Sequence, residues 1–110
     1  MVTEVNASNF EKEVANEKMP VLMDFWAPWC GPCQMMGPVF AELSKEFTNK
    51  IKFVKINADE NRELGAKYGV RGIPCFILVN DSEEVERFVG SQSMEDMRRK
   101  LDIALTKINM

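Results

Sequence analysis

Val21-Leu22-Met23-Asp24-Phe25-Trp26-Ala27 is apolar at every position but Asp24. A strand with one wet face alternates polar and apolar residues, whereas one that is apolar throughout belongs in the middle of a sheet covered from both sides. The chain must therefore lay helices on both faces of a sheet. Directly after this strand comes Trp29-Cys30-Gly31-Pro32-Cys33. Two cysteines three apart fit one helical turn, a span that a disulfide can bridge. So short a ring restrains the unfolded chain by only about 2 kcal/mol, which suits a bond that opens and closes better than a structural staple. Glycine allows a tight entry and proline favours the first helical positions, so Cys30 falls at a helix N-terminus. Unpaired N–H groups and the helix dipole favour a thiolate there, and the thiolate is the attacking species in thiol–disulfide exchange. The pattern is one of redox chemistry.

The remaining elements follow from periodicity and punctuation. Val2 to Val5 reads as a short strand. Ser8 with Glu11 has the form of a capping box opening a helix to about Glu17, and Pro20 ends the segment before the central strand. From Cys33, the residues Met36, Phe40, Leu43 and Phe47 repeat at helical spacing, with Pro38 inside the helix predicting a kink. Ile51 to Asn57 is the next strand, and about Glu60 to Tyr68 a short helix. Gly69 and Gly72 interrupt the chain before the buried strand Cys75 to Val79. Asn80-Asp81-Ser82 supplies turn chemistry into a hairpin strand from Val85 to Val89. Ser93 caps a last helix with Met94, Met97, Leu101, Leu105 and Ile108 on one stripe. The order βαβαβαββα predicts a single α/β domain over 1–110, with a mixed sheet of about five strands flanked by about four helices. The methionines fall mostly on core positions of this scheme.

Composition removes several classes of function. With no histidine among 110 residues, His-ligated metal sites, Cys–His proteases and Ser–His–Asp hydrolases are excluded. Cys75 is too far from the pair in sequence, and too poorly accompanied, for a thiolate metal site to be expected. Net charge is −3 with acids and bases mixed, which argues against nucleic-acid binding or a polybasic membrane surface. No apolar run approaches the roughly 20 residues of a membrane span. The start Met1-Val2-Thr3-Glu4-Val5-Asn6 lacks the basic and apolar regions of a signal peptide, so a cytoplasmic location is expected. In that context the acceptor patterns at Asn6 and Asn80 are expected to be chance matches.

The residues Asp24-Phe25-Trp26-Ala27, Trp29-Cys30-Gly31-Pro32-Cys33, Pro38, Lys55 and Gly69-Val70-Arg71-Gly72-Ile73-Pro74 together resemble the thioredoxin family over essentially the whole chain. The resemblance implies the thioredoxin fold and a protein-disulfide reductase working through a Cys30–Cys33 redox disulfide. Cys30 is then the exposed nucleophile that forms a mixed disulfide with substrate, and Cys33 the buried thiol that resolves it. It implies no bound cofactor, and electrons from a thioredoxin reductase, either NADPH/flavin or ferredoxin-linked. The implied substrates are disulfide-bearing proteins of the ribonucleotide reductase, peroxiredoxin and methionine sulfoxide reductase type, met by a monomer. Gly31-Pro32 resembles the reducing branch, since oxidants and isomerases typically carry histidine between the cysteines. A docking module without redox turnover is the competing reading. It has no use for the Cys pair, Asp24 and Pro74 together.

Around the pair, Asp24 is a carboxylate in an apolar strand, so its pKa should rise, and beneath Cys33 it could accept the resolving thiol's proton. Lys55 on the neighbouring strand is the partner expected to moderate its charge. Pro74, preceded by Ile73, matches the family's cis-proline loop, which would offer the Ile73 backbone to an extended substrate. Trp29, Gly72, Ile73 and Gly90 should complete an apolar patch, while Trp26 packs with its indole N–H on Asp59. Two positions depart from the family pattern. Gln34 stands where a basic residue is frequent, and Cys75 where threonine is common. Cys75 is either an inert core residue or an accessory thiol close to the site.

Overall fold

The computed structural model describes residues 1–110. In chain order it contains β1 (Val2–Val5), one π-helical turn (Glu11–Ala15), β2 (Val21–Trp26), α1 (Gly31–Glu46), β3 (Lys52–Asn57), α2 (Arg62–Lys67), β4 (Cys75–Asn80), β5 (Glu83–Val89) and α3 (Met94–Ile108). The strands form a single mixed sheet in the order β1-β3-β2-β4-β5. β3 pairs in parallel with β1 and β2, and β4 runs antiparallel to both β2 and β5. The expected α/β architecture is therefore present, with three α-helices and a π turn in place of four helices.

β2 lies at the centre because it has no face that tolerates water: Val21 to Phe25 are all buried. Leu22 joins Phe53, Phe76, Leu78 and Phe88 on one face, covered by Met36, Phe40, Leu43 and Phe47 of α1 and its end, and by Met97, Leu101 and Ala104 of α3. Val21, Met23 and Phe25 face the other way with Val54, Ile56, Cys75, Ile77 and Val79, under Phe10, Val14 and Leu64. Strand parity thus assigns each β2 side chain to one of two layers. The β4–β5 turn is made by Asp81 and Ser82, both at positive φ (52° and 65°), the backbone that suits a tight hairpin.

Some local expectations are corrected. The helix read from Ser8 to Glu17 is only the π turn Glu11–Ala15. The π turn has no side-chain cap: Asn6 Oδ1 accepts from the Ser8 N–H, the Ser8 hydroxyl and the Asn9 N–H in the turn before it, so Ser8 is not free to cap Glu11. Lys52 Nζ then ties the turn to the sheet, 2.6 Å from Glu13 Oε1 and 3.3 Å from Glu17 Oε1. The methionines are not mostly core residues. Met23, Met36 and Met97 are buried, but Met1, Met35 and Met110 are exposed, two at chain ends and one on the solvent side of α1. α1 continues through Pro38, and Ser93 Oγ caps α3 by accepting from the Asp96 N–H at 3.0 Å.

Candidate active site

The chain leaves β2 through a turn in which the Cys30 N–H donates to the Ala27 carbonyl at 3.2 Å, and enters α1 at once. Cys30 is the N-cap, in extended backbone at φ −87°, ψ 109°, and its Sγ accepts from the Cys33 N–H at 3.2 Å. Gly31 and Pro32 open the helix as the sequence predicts. Cys30 and Cys33 form a disulfide with Cα atoms 5.2 Å apart. The helix N-terminus aims a backbone donor at Cys30 sulfur, the arrangement that stabilises negative charge there. Exposure does not separate the two: both are 5% accessible, against the expected exposed and buried partners. Their difference is one of position, with Cys30 outside the helix and Cys33 in its first turn. Gln34 supplies no charge, but its Nε2 donates to the Pro28 carbonyl at 2.6 Å and so holds the turn before the motif.

Across from the pair lies the segment leading into β4. The Ile73–Pro74 bond is cis, as the family resemblance implies. Cys30 Sγ is 3.9 Å from the Ile73 carbonyl oxygen, and Ile73 packs against Cys30, Cys33 and Ala27. The far side of this segment is tied to β5 by the Gly90 N–H, which donates to the Pro74 carbonyl at 2.8 Å. Gly90 holds φ +91°, which other residues rarely adopt. Gly72 lies beside Val89, whose Cγ1 would be 3.4 Å from a Cβ at that position.

Trp29 is 70% exposed, and its indole N–H donates to Asp59 Oδ2 at 2.6 Å. The Asp59 contact therefore belongs to Trp29, not to Trp26 as the sequence suggested. Trp26 is in β2 on the sheet face, with Lys55 Nζ 4.4 Å from its ring centroid and its indole N–H without a protein acceptor. Two exposed apolar residues were not anticipated: Val89, beside Gly72, is 58% exposed, and Met35, on α1, is 74% exposed. Met35 lies outside the buried stripe of α1, and Val89 ends β5, so each is visible in the sequence only as an apolar residue at a position that periodicity points outward.

Asp24 pairs in register with Lys55 on β3 and Phe76 on β4, and is 1% exposed. Burial pushes its carboxyl from 3.8 up to about 7, with Lys55 pulling the other way. Its Oδ1 has no hydrogen-bond partner and it makes no ion pair: Lys55 is held over Trp26 and acts on the carboxylate through space. Parity puts Asp24 on the Leu22 face, the side that α1 covers, and so on the same side of the sheet as Cys33. Cys75 is different. It is 1% exposed in the opposite layer, with Phe25 and Ile77, and burial raises its thiol pKa. The structure thus separates Cys75 from the pair by the thickness of the sheet and favours the inert reading. No group of three or more Cys, Asp or Glu comes together in a way that could hold a metal ion. No helix is long and apolar enough to cross a membrane.

The geometry agrees with comparison to known proteins. The family model for thioredoxin matches residues 1–103. The chain is 46% identical over 90 residues to a thioredoxin from Pyropia yezoensis and 47% identical over 90 residues to one from Haemophilus influenzae, covering in each case 82% of this chain and 84% of the relative. It is 40% identical over 98 residues to thioredoxin 1 of Synechococcus elongatus, covering 89% of this chain and 92% of that one.

Proposed function

Because this chain belongs to the thioredoxin family and is a thiol–disulfide oxidoreductase, we propose that it acts in the reducing direction, as a monomeric single-domain carrier of electrons to substrate protein disulfides. The observation that carries this reading is the Cys30–Cys33 disulfide at the N-cap of α1, with a backbone N–H directed at Cys30 sulfur. In the reduced protein the Cys30 thiolate attacks one sulfur of a substrate disulfide. A Cys30–substrate bond forms, the substrate S–S bond breaks, and the departing substrate thiolate takes up a proton. Cys33 gives its proton to the Asp24 carboxylate and attacks Cys30 sulfur. The Cys30–Cys33 bond forms, the second substrate thiolate leaves, and two electrons have passed to the substrate. A carboxyl titrating at about 7 is divided between its two forms at neutral pH, so it can both accept and return this proton. Lys55 keeps that value from rising further.

Gly31 and Pro32 shape the helix entry. Trp29, Gly72, Ile73, Pro74 and Gly90 bind the substrate segment, and the exposed side chains of Trp29, Met35 and Val89 give it apolar contact. A thioredoxin reductase, NADPH/flavin or ferredoxin-linked, returns the pair to dithiol in the cytoplasm. The reading is tested by insulin-disulfide reduction, driven first by dithiothreitol and then by NADPH with a thioredoxin reductase. Acceleration over dithiothreitol alone is expected. No acceleration, with the Cys30–Cys33 pair demonstrably reduced, would refute it.

A further inference from the structure

The segment Val70–Pro74 presents Ile73 to Cys30, yet it has no regular structure of its own, so something must fix both of its ends. Its C-terminal end is fixed by the Gly90–Pro74 hydrogen bond. Its N-terminal end follows α2, whose Leu64, Gly65 and Ala66 carbonyls accept from the Tyr68, Val70 and Gly69 N–H groups and so close the helix end. Arg87 takes the carbonyls of the turn beyond the helix: its Nη2 donates to the Tyr68 carbonyl and its Nη1 to the Gly69 carbonyl.

An irregularity in the sheet makes this reach possible. Leu78 pairs with Glu86 but Val79 with Glu84, so Val85 is an extra residue in β5. In a regular strand, residues three apart point to opposite faces. Across the bulge, Glu84 and Arg87 share one face, and Arg87 Nε and Nη2 bond to the two Glu84 oxygens at 2.9 and 2.8 Å. The carboxylate fixes the guanidinium plane, and the remaining donors face the end of α2. Gly69 makes the turn there at φ +63°.

We infer that Arg87, oriented by Glu84 through the Val85 bulge, is a positioning residue for the substrate-facing segment Val70–Pro74, setting where the Ile73 backbone meets an extended protein disulfide. This rests on the reading of the chain as a protein-disulfide reductase. Arg87 touches no reacting atom, so its effect should appear only with substrates that lie along that segment.

The test compares insulin, which must dock, with 5,5′-dithiobis(2-nitrobenzoate), which needs only the reduced cysteine pair. Arg87→Met removes every donor. Arg87→Lys keeps the charge but lacks the fork that can hold Glu84 and both carbonyls together. Circular dichroism and thermal midpoints establish that each variant is folded at the assay temperature. For Arg87→Met the insulin KM should rise about five- to tenfold with kcat within about twofold, and the rate with the small disulfide should stay within about twofold of wild type. Arg87→Lys should fall between the two and is the measurement that decides if Arg87→Met does not fold. Equal losses on both substrates, or a lowered thermal midpoint with unchanged insulin KM, would overturn the inference while leaving the reductase reading intact. Wild-type protein that reduces neither substrate would overturn the reductase reading and this inference with it.

Discussion

Replacing Asp24 by asparagine should make the oxidised protein more stable, by an amount that depends on pH in a way the structure specifies. Burial raises the Asp24 carboxyl from 3.8 to about 7, so between those values the folded state holds a proton that the unfolded state has lost. Wild-type stability must therefore fall as pH rises through this window, and it levels off above about 7. At about 1.4 kcal/mol per pH unit the window amounts to about 4 kcal/mol, an upper bound, since water entering near the carboxylate would reduce it. Lys55 already acts within this value. Asparagine carries no charge to desolvate. At pH 4.5 it should match the protonated acid to within about 1 kcal/mol, because Asp24 Oδ1 has no hydrogen bond to lose. At pH 8.5 the variant should be more stable by about 3 kcal/mol. Glu13, Glu17, Glu46 and Glu84 are held below the usual carboxylate range by Lys52, the Met19 N–H, Arg98 and Arg87 respectively. Their stabilisation is lost as pH falls in both proteins alike, so it cancels in the difference. Guanidinium denaturation of the disulfide form at four pH values between 4.5 and 8.5 measures that difference without titration of the Cys30–Cys33 pair, and the free Cys75 thiol is common to both proteins. A difference that stays flat across the range would refute the reasoning, as would a variant less stable at pH 8.5. Single-turnover reduction near neutral pH should show the same variant slower in the resolving step, since Cys33 loses its proton acceptor.

The other expectations are narrower. After exposure to a disulfide substrate, Cys33→Ser should accumulate a mixed disulfide at Cys30 and Cys30→Ser should not; equal trapping by mass spectrometry would remove the assignment of roles. Cys75→Thr should leave insulin reduction within about twofold, because the thiol is buried across the sheet from the pair. Wild type and variant should lose activity alike and reversibly under mild peroxide, and faster loss in wild type with a modification mapped to Cys75 would contradict this. Gly90→Ala should lower stability by about 1–2 kcal/mol, since φ +91° is strained for alanine, and an unchanged denaturant midpoint would count against a fixed geometry there.

What could be read from the sequence was whatever a single local pattern determines. The β2 run, the helix opening at Cys30, the α1 and α3 stripes and the Ser93 cap each depend on neighbours within a turn or a strand. Two of the failures share one cause, a local contact whose partner only three-dimensional placement decides. Ser8 could cap the helix or be held by the turn before it, and Asn6 holds it there by accepting from its hydroxyl. Trp26 and Trp29 could each reach Asp59, but Trp26 is committed to the sheet while Trp29 stands in the turn beyond it. The same parity governs the chemistry of the site. Asp24 opposes Phe76, so Cys75, one residue back on β4, must point through the sheet to the other layer. A single residue of offset therefore divides a carboxylate on the side that α1 covers from a thiol withdrawn from it. Val85 shows the converse: by breaking parity once in β5, it brings Glu84 and Arg87 onto one face and lets an edge strand hold the segment that faces Cys30. Whether a side chain here joins the redox site or is screened from it depends first on strand register and only then on residue type.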